Sequence, residues 1–236
     1  MYCERSNVQK QLLSIEEYAK KNEMKINNKK TKLMVFNPCR SKDFMPEMQL
    51  GGVELEVVEE MRLLGVIITP DMKWAANTEH IVKRAFSKLW MLRRLKNLGA
   101  NTDQLIDVFL KQVRSILELA VPAWHGAINQ ADATDIERVQ KCALHIILGD
   151  KYSSYREALG VVNLQMLGVR RDKLCLNFAK KSEKHSKHKN WFKPKTKNHT
   201  RQKDIKYMNI IARTDRLKKS PMSYLTDLLN KERKPK

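Results

Sequence analysis

Lys29, Lys30 and Lys32 stand immediately before Leu33, Met34, Val35 and Phe36, a run that reads as a buried strand. A lysine ammonium is a compact charge that only donates hydrogen bonds. Three of them at the mouth of a strand are therefore either solvated punctuation or contacts to an anionic group. Other residues with chemical potential give less. His185 and His188 lie three apart, as do Cys142 and His145. Structural zinc sites take four ligands as two close pairs, and the long separation of these candidates matches no such spacing. Cys142 reads as a small core residue and the two histidines as solvated. Two-metal phosphoryl transfer needs clustered carboxylates. The sequence has no Asp-Asp pair, and its acidic doublets, Glu16-Glu17 and Glu59-Glu60, read as solvated faces. A nucleophile elbow, a phosphate-cradling glycine loop and a dinucleotide fingerprint are also missing. The residues by themselves spell no catalytic centre and no metal site.

Electrostatic contact with phosphates remains. The net charge of +20 is uneven. Residues 1–150 carry 22 Lys and Arg against 19 Asp and Glu, whereas residues 151–236 carry 24 against 7. Such asymmetry points to a polyanion. Nucleic acid fits better than a membrane surface, because no stretch approaches the ~20 apolar residues of a span and no lipidation signal is present. Trp74, Trp90, Trp191 and Phe192 interleave with the charge, and exposed rings of this kind stack on unpaired bases. Trp90 is expected in the core and Trp191 at the surface. Cys3, Cys39, Cys142 and Cys175 are scattered, and the N-terminus lacks a signal-peptide pattern, so an intracellular, reduced protein is expected, in nucleus or cytoplasm.

The elements that must position these residues are readable from periodicity. Val8, Leu12, Ile15 and Ala19 describe one face of a helix over 6–23. Residues 33–36 and 47–69, with Gly51, Gly52 and Gly65, predict a small antiparallel sheet with a hairpin. Ile81, Ala85, Leu89 and Leu92 share the core face of the next helix, and Lys83, Arg84, Lys88 and Arg94 lie opposite at about 100° per residue. Asn101 and Gln104 form an N-cap pair before a helix carried by Leu105, Phe109, Val113 and Ile116. A helix over 131–148 turns Ile136, Val139, Ala143 and Ile147 inward and stops at Gly149. Another covers 164–182 and carries Arg170 and Arg171. Residues 183–204, basic and nearly free of aliphatics, read as a disordered or loosely ordered linker. A last helix starts near Ser220 with Pro221 in its first turn and Leu225, Leu228 and Leu229 as its stripe.

Taken in order, "KINNKKTKLMVFN", "GGVELEVVEEMRLLGVIIT", "KWAANTEHIVKRAFSKLWMLRRL", "VRSILELAVPAWHG", "IERVQKCALHIILG" and "LGVRRDKLCLNFAKK" resemble the C-terminal part of the reverse transcriptases of non-LTR (LINE-type) retrotransposons, over most of residues 6–182. The resemblance implies an α+β fold. Residues 1–74 would be the end of a polymerase palm, a helix plus antiparallel strands and a primer-grip-like hairpin. Residues 75–182 would be a helical thumb-like bundle and residues 183–236 a basic tail with a short helix. Lys30 would match the family's motif lysine near the incoming nucleotide. Leu64, Gly65 and Val66 would match the primer-grip hairpin. There the family's Lys-Tyr is replaced by Arg62-Leu63, which keeps the charge and loses a ring.

The family's catalytic aspartate pair is not in this sequence, so the expectation is a truncated RNA-directed DNA polymerase that binds template-primer without polymerising. Its contacts to RNA and DNA would come from Lys29, Lys30, Lys32, Arg62, Gly65, Lys83, Arg84, Lys88 and Arg94. Mg²⁺ is expected as a cofactor only of the full-length enzyme, and none for this chain. Two alternatives remain open, a helical protein-interaction module whose partners the sequence does not name, and a decayed retroelement with no selected function.

Overall fold

The computed structural model describes residues 5–36, 47–188, 190–195 and 206–232. The chain is mixed α+β, predominantly helical, and forms two compact units, Met1–Lys73 and Trp74–Lys236. No helix among the described residues is long and apolar enough to cross a membrane.

In the first unit, α1 (Arg5–Lys21) lies on a small apolar cluster. Its Val8 and Leu12 pack with Ile26 and Leu33 against buried Met48, Leu50 and Leu55. Ile15, expected on that face, is 54 % exposed. Glu16 takes the inward position instead, and its carboxylate accepts the N–H of Gly51. One half of the Glu16-Glu17 doublet is thus a structural acceptor rather than a solvated face. The amide it binds belongs to the turn between β2 (Gln49–Leu50) and β3 (Val53–Glu54), where Gly51 and Gly52 both have positive φ, a region costly for any residue with a Cβ. A side-chain amide from Gln9 adds a bond to the Gln49 carbonyl at 2.9 Å.

The predicted single antiparallel sheet is instead three separate two-stranded pairs. β1 (Lys32–Leu33) pairs in parallel with β4 (Glu56–Val57), β2 with β3 antiparallel, and β5 (Met61–Leu63) with β6 (Val66–Ile68) antiparallel. The run after Lys32 therefore departs from a buried strand. Only two residues find a ladder partner, Leu33 to Val35 are half-buried, and Phe36 is 53 % exposed.

The second unit is helical. α2 (Ala75–Asn97) leads through Gly99 to α3 (Thr102–Val108), which runs on as a π-helical stretch, Phe109–Arg114, into α4 (Ser115–Leu117). Then follow α5 (Val121–Trp124), α6 (Gln130–Leu148), α7 (Tyr155–Val161) and α8 (Leu167–Lys184). α9 (Asp215–Lys218) and α10 (Pro221–Glu232) close the chain. Ile81, Ala85, Leu89 and Leu92 of α2 are at most 1 % exposed, facing α6, whose Ile136, Val139 and Ala143 are fully buried. Asn101 and Gln104 form a reciprocal capping box. After Phe109 and Val113, Leu117 is buried and Ile116 only half-buried, contrary to the α-helical expectation. The π-stretch explains the shift, since wider turns move the inward position from i+3 to i+4.

Residues 183–188 and 190–195 depart from the loosely ordered linker expected there. Phe192 is 3 % exposed and meets Tyr207 at 5.5 Å with the rings tilted by 47°. Pro194 bridges to Tyr207, and Asn230 of α10 holds the Tyr207 backbone on both sides, at 3.1 and 3.0 Å. The remainder of that segment, 196–204, lies outside the described residues. α10 packs along α8 and α5, with Leu225 and Leu229 buried and Leu228 half-buried.

Candidate functional site

The lysine cluster is split by its own backbone. Residues Asn28–Lys30 form a 3-10 turn capped by Asn27, whose side chain accepts the Lys30 N–H at 3.2 Å. Asn28 ties the turn to the sheet by donating to the Leu50 carbonyl at 3.1 Å. Lys29 and Lys30 project into solvent and form no ion pair among the described residues. Lys32 pairs with Glu56, its register partner across β1 and β4. Among the described residues two of the three ammonium groups are thus without a carboxylate, and the third is answered within the fold.

The β5–β6 hairpin turns at Leu64 and Gly65, both with positive φ, which suits a two-residue turn that follows the twist of its strands. Arg62 is exposed opposite Ile67, and Leu64 stands 91 % exposed at the tip. Val66 and Ile67 hold the inner side as buried residues.

In the second unit the cations of α2 are set out by the helix itself. Lys83, Ser87, Trp90 and Arg94 fall within about 60° of arc on the side away from α6. All four are exposed, whereas Arg84, half-buried, and Lys88 fall about 90° and 130° from the centre of this face, so the expectation that they share it with Lys83 and Arg94 is not met. None of the four cations forms an ion pair among the described residues. Trp90 is 57 % exposed, which corrects its expected place in the core. The inward positions are Ile81, Ala85, Leu89 and Leu92, and at 100° per residue Trp90 falls about 145° from the centre of that face. Trp74, by contrast, is buried at the start of α2. Lys96, one turn further on, is committed elsewhere, donating to the Ile146 carbonyl at 2.6 Å, near the C-terminus of α6.

A buried polar cluster that periodicity did not reveal joins α5, α6, α8 and α10. Glu137, 8 % exposed, accepts the Tyr155 hydroxyl and the N–H groups of Leu167 at 3.0 Å and Gly168 at 3.3 Å, capping α8. Arg171 donates its Nε–H to His125 Nδ1 at 3.2 Å. Because a guanidinium only donates, that nitrogen is the acceptor and His125 Nε2 carries the proton toward Asp172, 2.8 Å away. Asp172 also accepts the Tyr224 hydroxyl. Burial, then the charge of Arg171, pushes the His125 pKa below its usual value, against the pull of Asp172. A histidine beside an aspartate in a cavity of about 510 Å³ resembles a catalytic pair, but both ring nitrogens are engaged. The imidazole has no free position from which to take a substrate proton, so the cluster holds helices together. Arg170 is likewise occupied, bound to Glu118, which also lies 3.5 Å from Arg114 Nε. The Arg170-Arg171 pair is thus turned inward by the fold. A signal in the sequence existed, since Glu137 and Gln140 fall on the apolar face of α6, where a polar residue needs a partner.

His185 and His188 come together with ring centroids 4.6 Å apart, but no three His, Cys, Asp or Glu side chains among the described residues converge as a metal would require. Comparison of the chain with protein families, curated proteins and solved structures gives no match.

Proposed function

We propose that the chain is the nucleic-acid-binding C-terminal part of a non-LTR retrotransposon-type reverse transcriptase, holding an RNA–DNA template-primer without performing nucleotide addition itself. The observation that carries this reading is the outer face of α2, where the exposed Trp90 lies between Lys83 and Arg94, neither of which forms an ion pair among the described residues. Lys83 and Arg94 offer donors to phosphate oxygens on this face, Arg84 and Lys88 on the adjoining side of the helix, and the Trp90 ring offers apolar contact to sugars or stacking to a base. The ordered sequence resemblance and the basic excess of the C-terminal third support it. In this reading Lys29 and Lys30 face the phosphates of the incoming nucleotide, and the β5–β6 hairpin, with Arg62 and Gly65, supports the primer end. Lys32, answered by Glu56, contributes less than its two neighbours. Mg²⁺ would be held by an aspartate pair that this sequence does not contain, and no carboxylate cluster among the described residues fits it.

The test is a binding titration of an RNA–DNA duplex with the wild-type chain and with Lys83→Glu/Arg94→Glu. Removing two phosphate contacts and adding two repulsive charges weakens binding by at least tenfold. Equal affinities of the two proteins would refute the assignment of this face.

A second reading, a protein-interaction module, draws on α1, where Leu13, Ile15 and Tyr18 are 49 %, 54 % and 63 % exposed. It predicts that Ile15→Glu/Tyr18→Glu abolishes a protein complex while leaving duplex binding intact.

A further inference from the structure

Four aromatic rings meet at the surface where the chain leaves α8. His185 and His188 lie 4.6 Å apart at 30°, and His188 stacks on Trp191 at 4.1 Å and 18°. Phe178 of α8 closes on Trp191 at 6.4 Å. The spacing of three residues has a local cause. Residues Ser186–His188 form a 3-10 turn, and in that geometry side chains three apart eclipse one another, so the rings at 185, 188 and 191 are laid in a column. Backbone bonds fix the column. His188 N–H donates to the His185 carbonyl at 3.0 Å, Trp191 N–H to the His188 carbonyl at 2.9 Å, and Lys187 N–H to His185 Nδ1 at 3.2 Å.

This column is not needed to anchor the segment. Phe192, with Tyr207 and Asn230, does that from the buried side. Trp191 remains 39 % exposed, Phe178 37 %, and His185 is exposed as well. Leaving large rings partly in water forgoes the gain of burying them, which a flat apolar partner would recover. The surroundings say what kind of partner. Lys181, Lys184, Lys187 and Lys193 are exposed around the column and form no ion pair among the described residues, while the one acidic residue of the stretch, Glu183, is bound to Lys206 and Tyr207.

We propose that the His185–His188–Trp191 column is a stacking platform for unpaired bases of single-stranded nucleic acid, with Lys184, Lys187 and Lys193 meeting the strand's phosphates. The middle ring, His188, has both neighbours against it, so a base adds at an end of the column, and because every base has a π-face the platform is tolerant of sequence. In a duplex the faces of the bases are already stacked on one another, so the platform selects single strands. It is separate from the α2 face and does not depend on it.

The experiment uses the full chain with fluorescein-labelled U20, dT20 and a blunt 20-base-pair RNA–DNA duplex at fixed salt, following anisotropy and the tryptophan emission assigned to residue 191 by difference from Trp191→Phe. Single strands quench that emission in the wild type. Trp191→Ala lowers single-strand affinity about tenfold, in the range expected for one lost stack. Trp191→Phe retains most of the affinity, and duplex affinity changes less than twofold in both variants. Comparable losses on U20 and dT20 mean that the platform reads bases alone, and a loss on U20 only means that it also reads ribose. Absence of quenching, unchanged single-strand affinity in Trp191→Ala, or equal losses on duplex and single strand would each overturn the proposal. Lys83→Glu/Arg94→Glu, which acts on the α2 face, serves as the reverse control, losing duplex binding while the quenching by U20 persists.

Discussion

His125 shows how one buried residue sets a pH response. Its pKa is depressed in the folded chain below the usual imidazole value of 6.5, first by burial and then by Arg171. As pH falls through about 6.5 the unfolded chain takes up a proton that the folded chain refuses, so stability is full above that value and declines below it. Thermal unfolding between pH 7.5 and pH 5 therefore shows a falling midpoint, and His125→Gln flattens the fall. An unchanged slope in the variant would assign the acid sensitivity to other groups. The neighbouring residues follow the same logic. Glu137 lies on the apolar face of α6 because three donors wait for it there, and an unpartnered carboxylate at that depth would cost several kcal/mol.

At the scale of elements, α10 is held by contacts that leave no slack. Tyr224 lies so close to Gly126 that a Cβ built on the glycine would stand 2.6 Å from the Tyr224 Cβ and Cγ. Gly126→Ala must displace α10 or the turn before α6, at a cost of about 1–3 kcal/mol. Chemical denaturation measures it, and because α2 is not involved, duplex affinity stays as in the wild type. A stability equal to wild type would mean that α10 docks more loosely than its contacts with Asp172 and Gly126 indicate. The π-stretch of Phe109–Arg114 acts on the same scale, re-aiming one turn so that Leu117 rather than Ile116 enters the core.

The whole molecule is governed by its charge. With 24 basic against 7 acidic residues after position 150, the chain attracts any polyanion, and the question is which cations remain unanswered within the fold. Arg114, Arg170 and Lys206 are paired with carboxylates, Arg171 is buried beside Glu137 and Asp172, and Lys96 caps α6. Lys83, Arg84, Lys88 and Arg94 of α2 form no ion pair among the described residues. If Lys83 and Arg94 neutralise two phosphates of a duplex, the logarithm of the binding constant falls against the logarithm of salt with a slope of about −1.8 from this face alone. The Lys83→Glu/Arg94→Glu chain shows a slope shallower by about 2. A titration flat between 50 and 200 mM salt would remove nucleic acid as the partner.

The sequence by itself determined what depends on neighbours along the chain. The inward faces of α2 and α6, the Asn101–Gln104 cap, the glycine turn at 51–52 and the Pro221 start of α10 are local patterns, and all are found in the structure. The order of motifs and the basic excess were likewise legible without coordinates, and they support the proposed function. Only the tertiary structure decided which charges are free. Lys32 meets Glu56 across a parallel pair, Arg170 meets Glu118 over 52 residues, and Glu16 meets Gly51 over 35. Such pairings depend on distances between elements, which periodicity does not encode. For the same reason Trp90, an apolar residue in an apolar-rich helix, proved to be surface, and the rings at 185, 188 and 191 became a column only once a 3-10 turn replaced the linker expected there.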